Sequence, residues 1–217
     1  MNRKLRGLYA VTPDTADSDA LISGVQSALR GGAILVQYRN KVLDAAGRLR
    51  QARLILDACR AARVPLIVND DVELAASIGA DGVHLGRSDG SIPAARTRLG
   101  AGSIIGASCY NELELAVTAA RDGADYVAFG SFFPSSTKPE AVAASLDLLT
   151  QAKRTFDLPV VAIGGITHDN APALIAAGAD MLAVITALFN AKDVCVAAQQ
   201  FSQLFPSYHA RQKQSAV

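Results

Sequence analysis

Eight short apolar runs, rich in valine and isoleucine, alternate along this chain with longer alanine-rich stretches of helical pattern. The runs lie at 7–12, 34–39, 65–69, 82–85, 104–108, 126–130, 160–163 and 181–185. Each is nearly continuous in apolar residues, as suits a strand buried on both faces of a parallel sheet. The helical patterns cover 17–30, 44–62, 71–78, 91–99, 111–122, 140–155, 169–177 and 193–204, with Asn111-Glu112 and Asp169-Asn170 as helix starts. Such alternation demands a parallel sheet with right-handed crossovers. Eight units close most naturally into an α/β fold of the (β/α)8 TIM barrel type. A doubly wound open sheet is the rival, but no G-x-G-x-x-G follows the first run.

A weak internal repeat supports the same division. Ile78-Gly79-Ala80-Asp81, Asp122-Gly123-Ala124-Asp125 and Ala177-Gly178-Ala179-Asp180 each close a helix and open a strand, and Gly31-Gly32-Ala33 does so without the aspartate. Glycine just past a helix end enters the left-handed region without a Cβ clash. No linker or low-complexity block interrupts the pattern, so one domain is expected over 1–217, with a polar tail at 207–217.

Composition narrows the class. Half of the 217 residues are hydrophobic, enough for a core and too many for a disordered chain. The formal charge of +1 argues against a general nucleic-acid binder. No apolar run reaches 18 residues, so no membrane helix is expected. The basic-then-apolar start is cut short at Pro13-Asp14, unlike a secretory leader. Cys59, Cys109 and Cys195 are scattered and odd in number, which suggests neither a disulfide framework nor zinc. A reduced, cytoplasmic protein is expected. The oligomeric state stays open, a homo-oligomer included.

In a barrel, chemistry sits at the C-terminal ends of the strands. The second strand ends in Gln37-Tyr38-Arg39-Asn40-Lys41, and alternation puts Gln37, Arg39 and Lys41 on one side. Two cations and an amide there suit an anion such as phosphate. The third ends in Asn69-Asp70-Asp71, where a carboxylate is either a helix cap or a metal ligand; Asp71 reads as the cap and Asp70 as the inward group. Asp89, after the fourth strand, is placed to meet Asp70. Two carboxylates with few other ligands suit Mg²⁺, which keeps waters and completes its shell with substrate phosphates. His84 alternates into the fourth strand and reads as a packed or hydrogen-bonded core histidine.

The fifth strand delivers Ser108, and the sixth a loop of hydroxyls ending in Lys138. That loop suits a phosphate lid; a Schiff-base lysine usually lies within an apolar strand instead. Gly164-Gly165 and Ile185-Thr186 follow strands seven and eight, the common backbone phosphate site of barrels. The mouth therefore holds two anion sites, as two phosphorylated small-molecule substrates would require, one of them a metal-bound polyphosphate. No Cys–His or Ser–His–Asp set points to acyl transfer.

These motifs resemble the thiamine phosphate synthase family: QYRNK at 37–41, VNDD at 68–71, GADGVHLGRSD at 79–89, GAS at 106–108, ADYVAFGSFFPSSTK at 124–138 and AIGGI at 162–166. The resemblance implies condensation of hydroxymethylpyrimidine diphosphate with thiazole phosphate, giving thiamine phosphate and pyrophosphate. It implies Mg²⁺ on Asp70 and Asp89, and pyrophosphate contacts from Arg39, Lys41, Asn69 and Lys138. Gln37 and Ser108 fall at the pyrimidine end, and Arg39, Lys41, Ser108 and Lys138 carry the catalysis. The thiazole phosphate falls on the backbone at Gly165, Ile185 and Thr186, and Ser135 and Thr137 complete the strand-six loop.

The chain departs from that family's pattern in places. Ser131 stands where proline is common, Ser135 where threonine is, and Thr186 where serine is usual. Cys109-Tyr110 lacks a histidine often found after the strand-five serine, and Ser145 stands where glycine usually precedes the leucine. Rival expectations are a thiazole tautomerase-like relative, which uses that histidine, and a non-catalytic thiazole phosphate-binding paralogue, which would lose the charged mouth. A phosphosugar aldolase using Lys138 is more distant.

Overall fold

The computed structural model describes residues 5–134 and 143–205. Ser135, Thr137, Lys138, the expected helix start at 140 and the tail at 207–217 lie outside the described residues. Eight parallel strands close a barrel in sequence order, β1 pairing with β8. They are β1 (Gly7–Val11), β2 (Leu35–Tyr38), β3 (Leu66–Asn69), β4 (Gly82–Leu85), β5 (Ile104–Tyr110), β6 (Tyr126–Phe129), β7 (Val160–Ile163) and β8 (Met181–Val184). The helices are α1 (Ser18–Arg30), α2 (Ala45–Ala62), α3 (Val72–Ile78), α4 (Ile92–Leu99), α5 (Leu113–Arg121), α6 (Leu146–Thr155), α7 (Ala171–Ala176), α8 (Thr186–Phe189) and α9 (Val194–Gln203).

Alternation along each strand sorts side chains into two cores. Tyr9, Val11, Leu35, Ile67, Tyr126, Val161 and Met181 fill the barrel interior with no helix residue among them. Leu8, Ala10, Val36, Val68 and Leu182 pack outward with Leu21, Val25, Ile55 and Leu149 from the helices. Five helix starts are capped by side chains: Asp17, Asp44, Asp71, Ser91 and Asp193 each accept a first-turn amide. Such a bond satisfies a donor the helix itself cannot. Glu112 and Asn170 do begin α5 and α7, but without a side-chain cap.

The glycine–alanine–aspartate joints have a shared purpose. Asp81, Asp125 and Asp180 accept the backbone N–H of Leu66, Ile105 and Val160 through Oδ2, at 2.8, 2.7 and 3.0 Å. Their own amides donate back to the carbonyls of the same three residues. Each aspartate thus clips the start of an even strand to the start of the odd strand before it. The joint at 31–33 is followed by Ile34 instead, whose side chain meets the face of Gly7 at 3.1 Å.

Three details differ from expectation. β5 runs on to Tyr110 with a shift in register between Ser108 and Tyr110. Such irregularities re-aim side chains near sites. α6 starts at Leu146, because 143–145 pack as extended chain, with the Ala144 amide on the Ser131 carbonyl at 2.8 Å. α8, at four residues, is too short to leave a periodic signal.

Candidate active site

A cavity of about 1020 Å³ opens at the C-terminal ends of the strands. Gln37, Arg39, Asn69, Ser108, Gly165, Ile185 and Thr186 line it; Lys41, Asp70 and Asp89 stand outside its wall, past β2, β3 and β4. The expected mouth is therefore divided. One part is a walled cavity, and the other is a charged cluster beside it.

β2 shows how one motif serves both the scaffold and the cavity. Gln37 points inward, and its Nε2 donates to Tyr9 Oη at 2.7 Å. Tyr38 points outward, donating to Gln51 Oε1 at 3.0 Å. The strand ends there, one residue earlier than expected, yet the alternation persists. Asn40 turns outward to Thr15 O and Gln51 Oε1, and its own Oδ1 accepts the amides of Val42 and Leu43. Thr12 Oγ1 both donates to the Arg39 carbonyl and accepts the Arg39 amide, each at 2.8 Å.

Asp14 completes this loop and was not among the residues expected at the site. Its Oδ2 pairs with Arg39 Nη1 at 2.5 Å, and its Oδ1 accepts the Lys41 amide at 2.8 Å. One carboxylate thus orients both cations. Its place just beyond the end of β1 is the signal that could have found it, since every other strand end was inspected.

Asp71 caps α3, accepting the Leu74 amide at 2.8 Å, and Asp70 is left for the mouth. Asp70 adopts φ +63°, an unusual conformation for a residue with a side chain. Its carboxylate meets that of Asp89 and lies 3.8 Å from Lys41 Nζ. Burial and the facing Asp89 carboxylate push its pKa up, against the opposing pull of Lys41 and of the Asn69 amide. Asp89 is fixed by the Gly86 amide at 2.9 Å, and a Cβ on Gly86 would come within 2.6 Å of its Oδ2. Among the described residues no cluster of three or more histidine, cysteine or acidic side chains exists. Two hard oxygen donors that repel each other fit Mg²⁺, which needs few protein ligands, and fit zinc poorly.

The strand-seven glycines allow tight packing of the neighbouring loop. A Cβ on Gly165 (φ +60°) would lie 2.4 Å from Pro134 O, and one on Gly164 would strike Ser131. Ser131, the residue in place of a common proline, closes a turn by donating to Phe133 O at 2.8 Å. α8 begins at Thr186, and its first-turn amides have no partner within the helix. Beside β5, Tyr110 carries the Arg87 guanidinium over its ring at 5.3 Å, and Arg87 also pairs with Glu112. His84 is hydrogen-bonded as expected, through Nδ1 to Tyr126 Oη at 3.0 Å and Nε2 to Ser108 Oγ at 2.8 Å.

Comparison with known proteins decides the family. Residues 8–188 match the family model described as thiamine monophosphate synthase. The chain belongs to the thiamine monophosphate synthase family. The thiamine-phosphate synthase of Azoarcus sp. is 57% identical over 205 residues, spanning 94% of this chain and all of that one. That of Aromatoleum aromaticum is 54% identical over 93% of this chain and 97% of its own. Among solved structures, thiamine phosphate pyrophosphorylase from Pyrococcus furiosus superposes with a TM-score of 0.84 at 34% identity, covering 95% of this chain and 98% of that one. A 3-hexulose-6-phosphate synthase superposes at 0.69 with 16% identity over 91% of this chain and 99% of that one, a likeness of fold alone. No helix among the described residues is long and apolar enough to cross a membrane.

Proposed function

We propose that this chain is a thiamine phosphate synthase, condensing 4-amino-2-methyl-5-hydroxymethylpyrimidine diphosphate with 4-methyl-5-(2-phosphooxyethyl)thiazole. The observation that carries this is the divided mouth: a carboxylate pair with Lys41 and Arg39 on one side, and backbone amides of β7 and β8 on the other. The family supports it. Asp70 and Asp89 would hold Mg²⁺, which when bound supplies charge neutralisation for the departing pyrophosphate. Arg39 and Lys41, oriented by Asp14, bind the same diphosphate from the β2 side, and Asn69 from β3. Gln37 and Ser108 hold the pyrimidine. Gly165, Ile185 and Thr186 take the thiazole phosphate on backbone N–H groups. Ser135, Thr137 and Lys138 are assigned to the loop over the diphosphate on the resemblance alone.

The C–O bond to the diphosphate breaks first, its electron pair leaving with pyrophosphate. The pyrimidine-stabilised cation that remains is captured by the thiazole nitrogen. Such a reaction needs positioning and charge stabilisation rather than a strong base. The partners are small molecules, and the same proposal places the protein in the cytoplasm. Pure protein with both substrates and Mg²⁺ should release pyrophosphate, and leaving out either substrate should stop it. Absence of release in the complete mixture would overturn the assignment in favour of a thiazole phosphate-binding relative.

A further inference from the structure

Five side chains form a continuous hydrogen-bonded chain across the cavity floor: Gln37, Tyr9, Tyr126, His84 and Ser108. Its polarity follows from donor and acceptor counts. Gln37 Nε2 has only hydrogens to give, so Tyr9 Oη accepts. Tyr9, 1% exposed, then gives its single hydrogen to Tyr126 Oη at 2.7 Å. Tyr126 gives its own to His84 Nδ1. Burial pushes both phenols up, so each keeps the proton it donates. A neutral imidazole that accepts at Nδ1 carries its hydrogen on Nε2, and that hydrogen goes to Ser108 Oγ.

Both ends of the relay line the cavity. With Nε2 committed to Tyr9, Gln37 offers its carbonyl oxygen. With its oxygen accepting from His84, Ser108 offers its hydroxyl hydrogen. Turning the Gln37 amide over would reverse all four bonds together and exchange the two offers. The ends are therefore complementary by construction, one acceptor and one donor.

We infer that Tyr9, Tyr126 and His84 are positioning residues that set Gln37 as acceptor and Ser108 as donor, selecting a 4-aminopyrimidine over its 4-oxo counterpart. An amino group gives a hydrogen to Gln37, and an unprotonated ring nitrogen takes one from Ser108. The oxo ring reverses both groups. This rests on the pyrimidine diphosphate being the substrate, as proposed above.

Two measurements on the full chain test it. Nitrogen-15 NMR of the ligand-free protein, with the His84 signal assigned by His84→Gln, should show the Nε2–H tautomer; an Nδ1–H tautomer overturns the relay whatever the substrate. Calorimetry should show the amino diphosphate binding at least about 100-fold more tightly than the oxo diphosphate, the scale set by leaving polar groups of a site mispaired. In Tyr126→Phe, which keeps the ring, that preference should fall at least tenfold, with thiazole phosphate binding unchanged. Tyr9→Phe should weaken it likewise by freeing the Gln37 amide. A preference equal to wild type in both variants overturns the positioning role. If neither diphosphate binds, the substrate assignment fails, and the tautomer still decides the relay.

Discussion

Gly106→Ala probes the joint between fold and site. A Cβ at Gly106 would sit 2.0 Å from Tyr126 Cζ, 2.3 Å from its Oη and 2.4 Å from Cε2. Ordinary carbon contact is about 3.5 Å, so the ring must retreat by roughly 1.5 Å. Tyr126 is fully buried, and its hydroxyl bonds of 2.7 and 3.0 Å to Tyr9 and His84 cannot survive that shift. Overpacking costs about 1–3 kcal/mol, and buried hydroxyls left unpaired cost about 1–3 kcal/mol more each. The sum, about 3–6 kcal/mol, is a large part of a typical domain's stability of about 5–15 kcal/mol. Urea unfolding followed by circular dichroism should show it as a large drop in midpoint. Gly102→Ala is the control, since nothing lies within 4 Å of its added Cβ. It should change stability by less than about 0.5 kcal/mol. If Gly106→Ala unfolds at the wild-type urea concentration, the close packing of Tyr126 on β5 is wrong.

Other perturbations separate the remaining parts. Asp70→Asn should cut turnover at limiting Mg²⁺ by about 100-fold or more, the scale of losing one charge-stabilising group. Thiazole phosphate affinity should hold, because that ligand is assigned to β7 and β8; steady-state kinetics and calorimetry check the pair. Asp125→Ala orphans the Ile105 amide and releases Arg96 from its 2.6 Å contact. It should destabilise by about 1–3 kcal/mol in urea, most of it from the buried amide. Asp122→Ala, which loses only an exposed pair with Arg121, should stay within about 0.5 kcal/mol. Burial pushes the Cys59 and Cys109 thiols up to about 12, which strips them of thiolate at pH 8, while Cys195 is only half-buried. A thiol reagent should therefore find one reactive cysteine in the native protein and all three after unfolding.

The barrel was legible because two-sided burial writes each parallel strand as an apolar run, and 82–85 and 160–163 match β4 and β7 at both ends. Asp71 and Asp70 were separable because a cap and an inward carboxylate occupy successive positions at a strand end. The aspartates at 81, 125 and 180 showed as a repeat, but their clips to the preceding strands did not, since those bonds join residues 15 to 20 positions apart. Tyr9 and Tyr126 were hidden for a different reason. Inside an apolar strand a tyrosine reads as core, and only the closed barrel brings the two hydroxyls together from 117 residues apart. Asp14 was missed because its partners stand 25 and 27 residues away in the next loop.

The central claim is a division of labour at one barrel mouth: a metal diphosphate beside β2 to β4 and a second phosphate on the backbone of β7 and β8. Crystals grown with thiamine phosphate, pyrophosphate and Mn²⁺ in place of Mg²⁺ test it most directly, because Mn²⁺ can be located by its anomalous scattering. Mn²⁺ should lie between Asp70 and Asp89 in contact with pyrophosphate, and the thiamine phosphate group should rest on the amides of Gly165, Ile185 and Thr186. Mn²⁺ bound elsewhere, or both phosphate groups on the same side of the mouth, would contradict it.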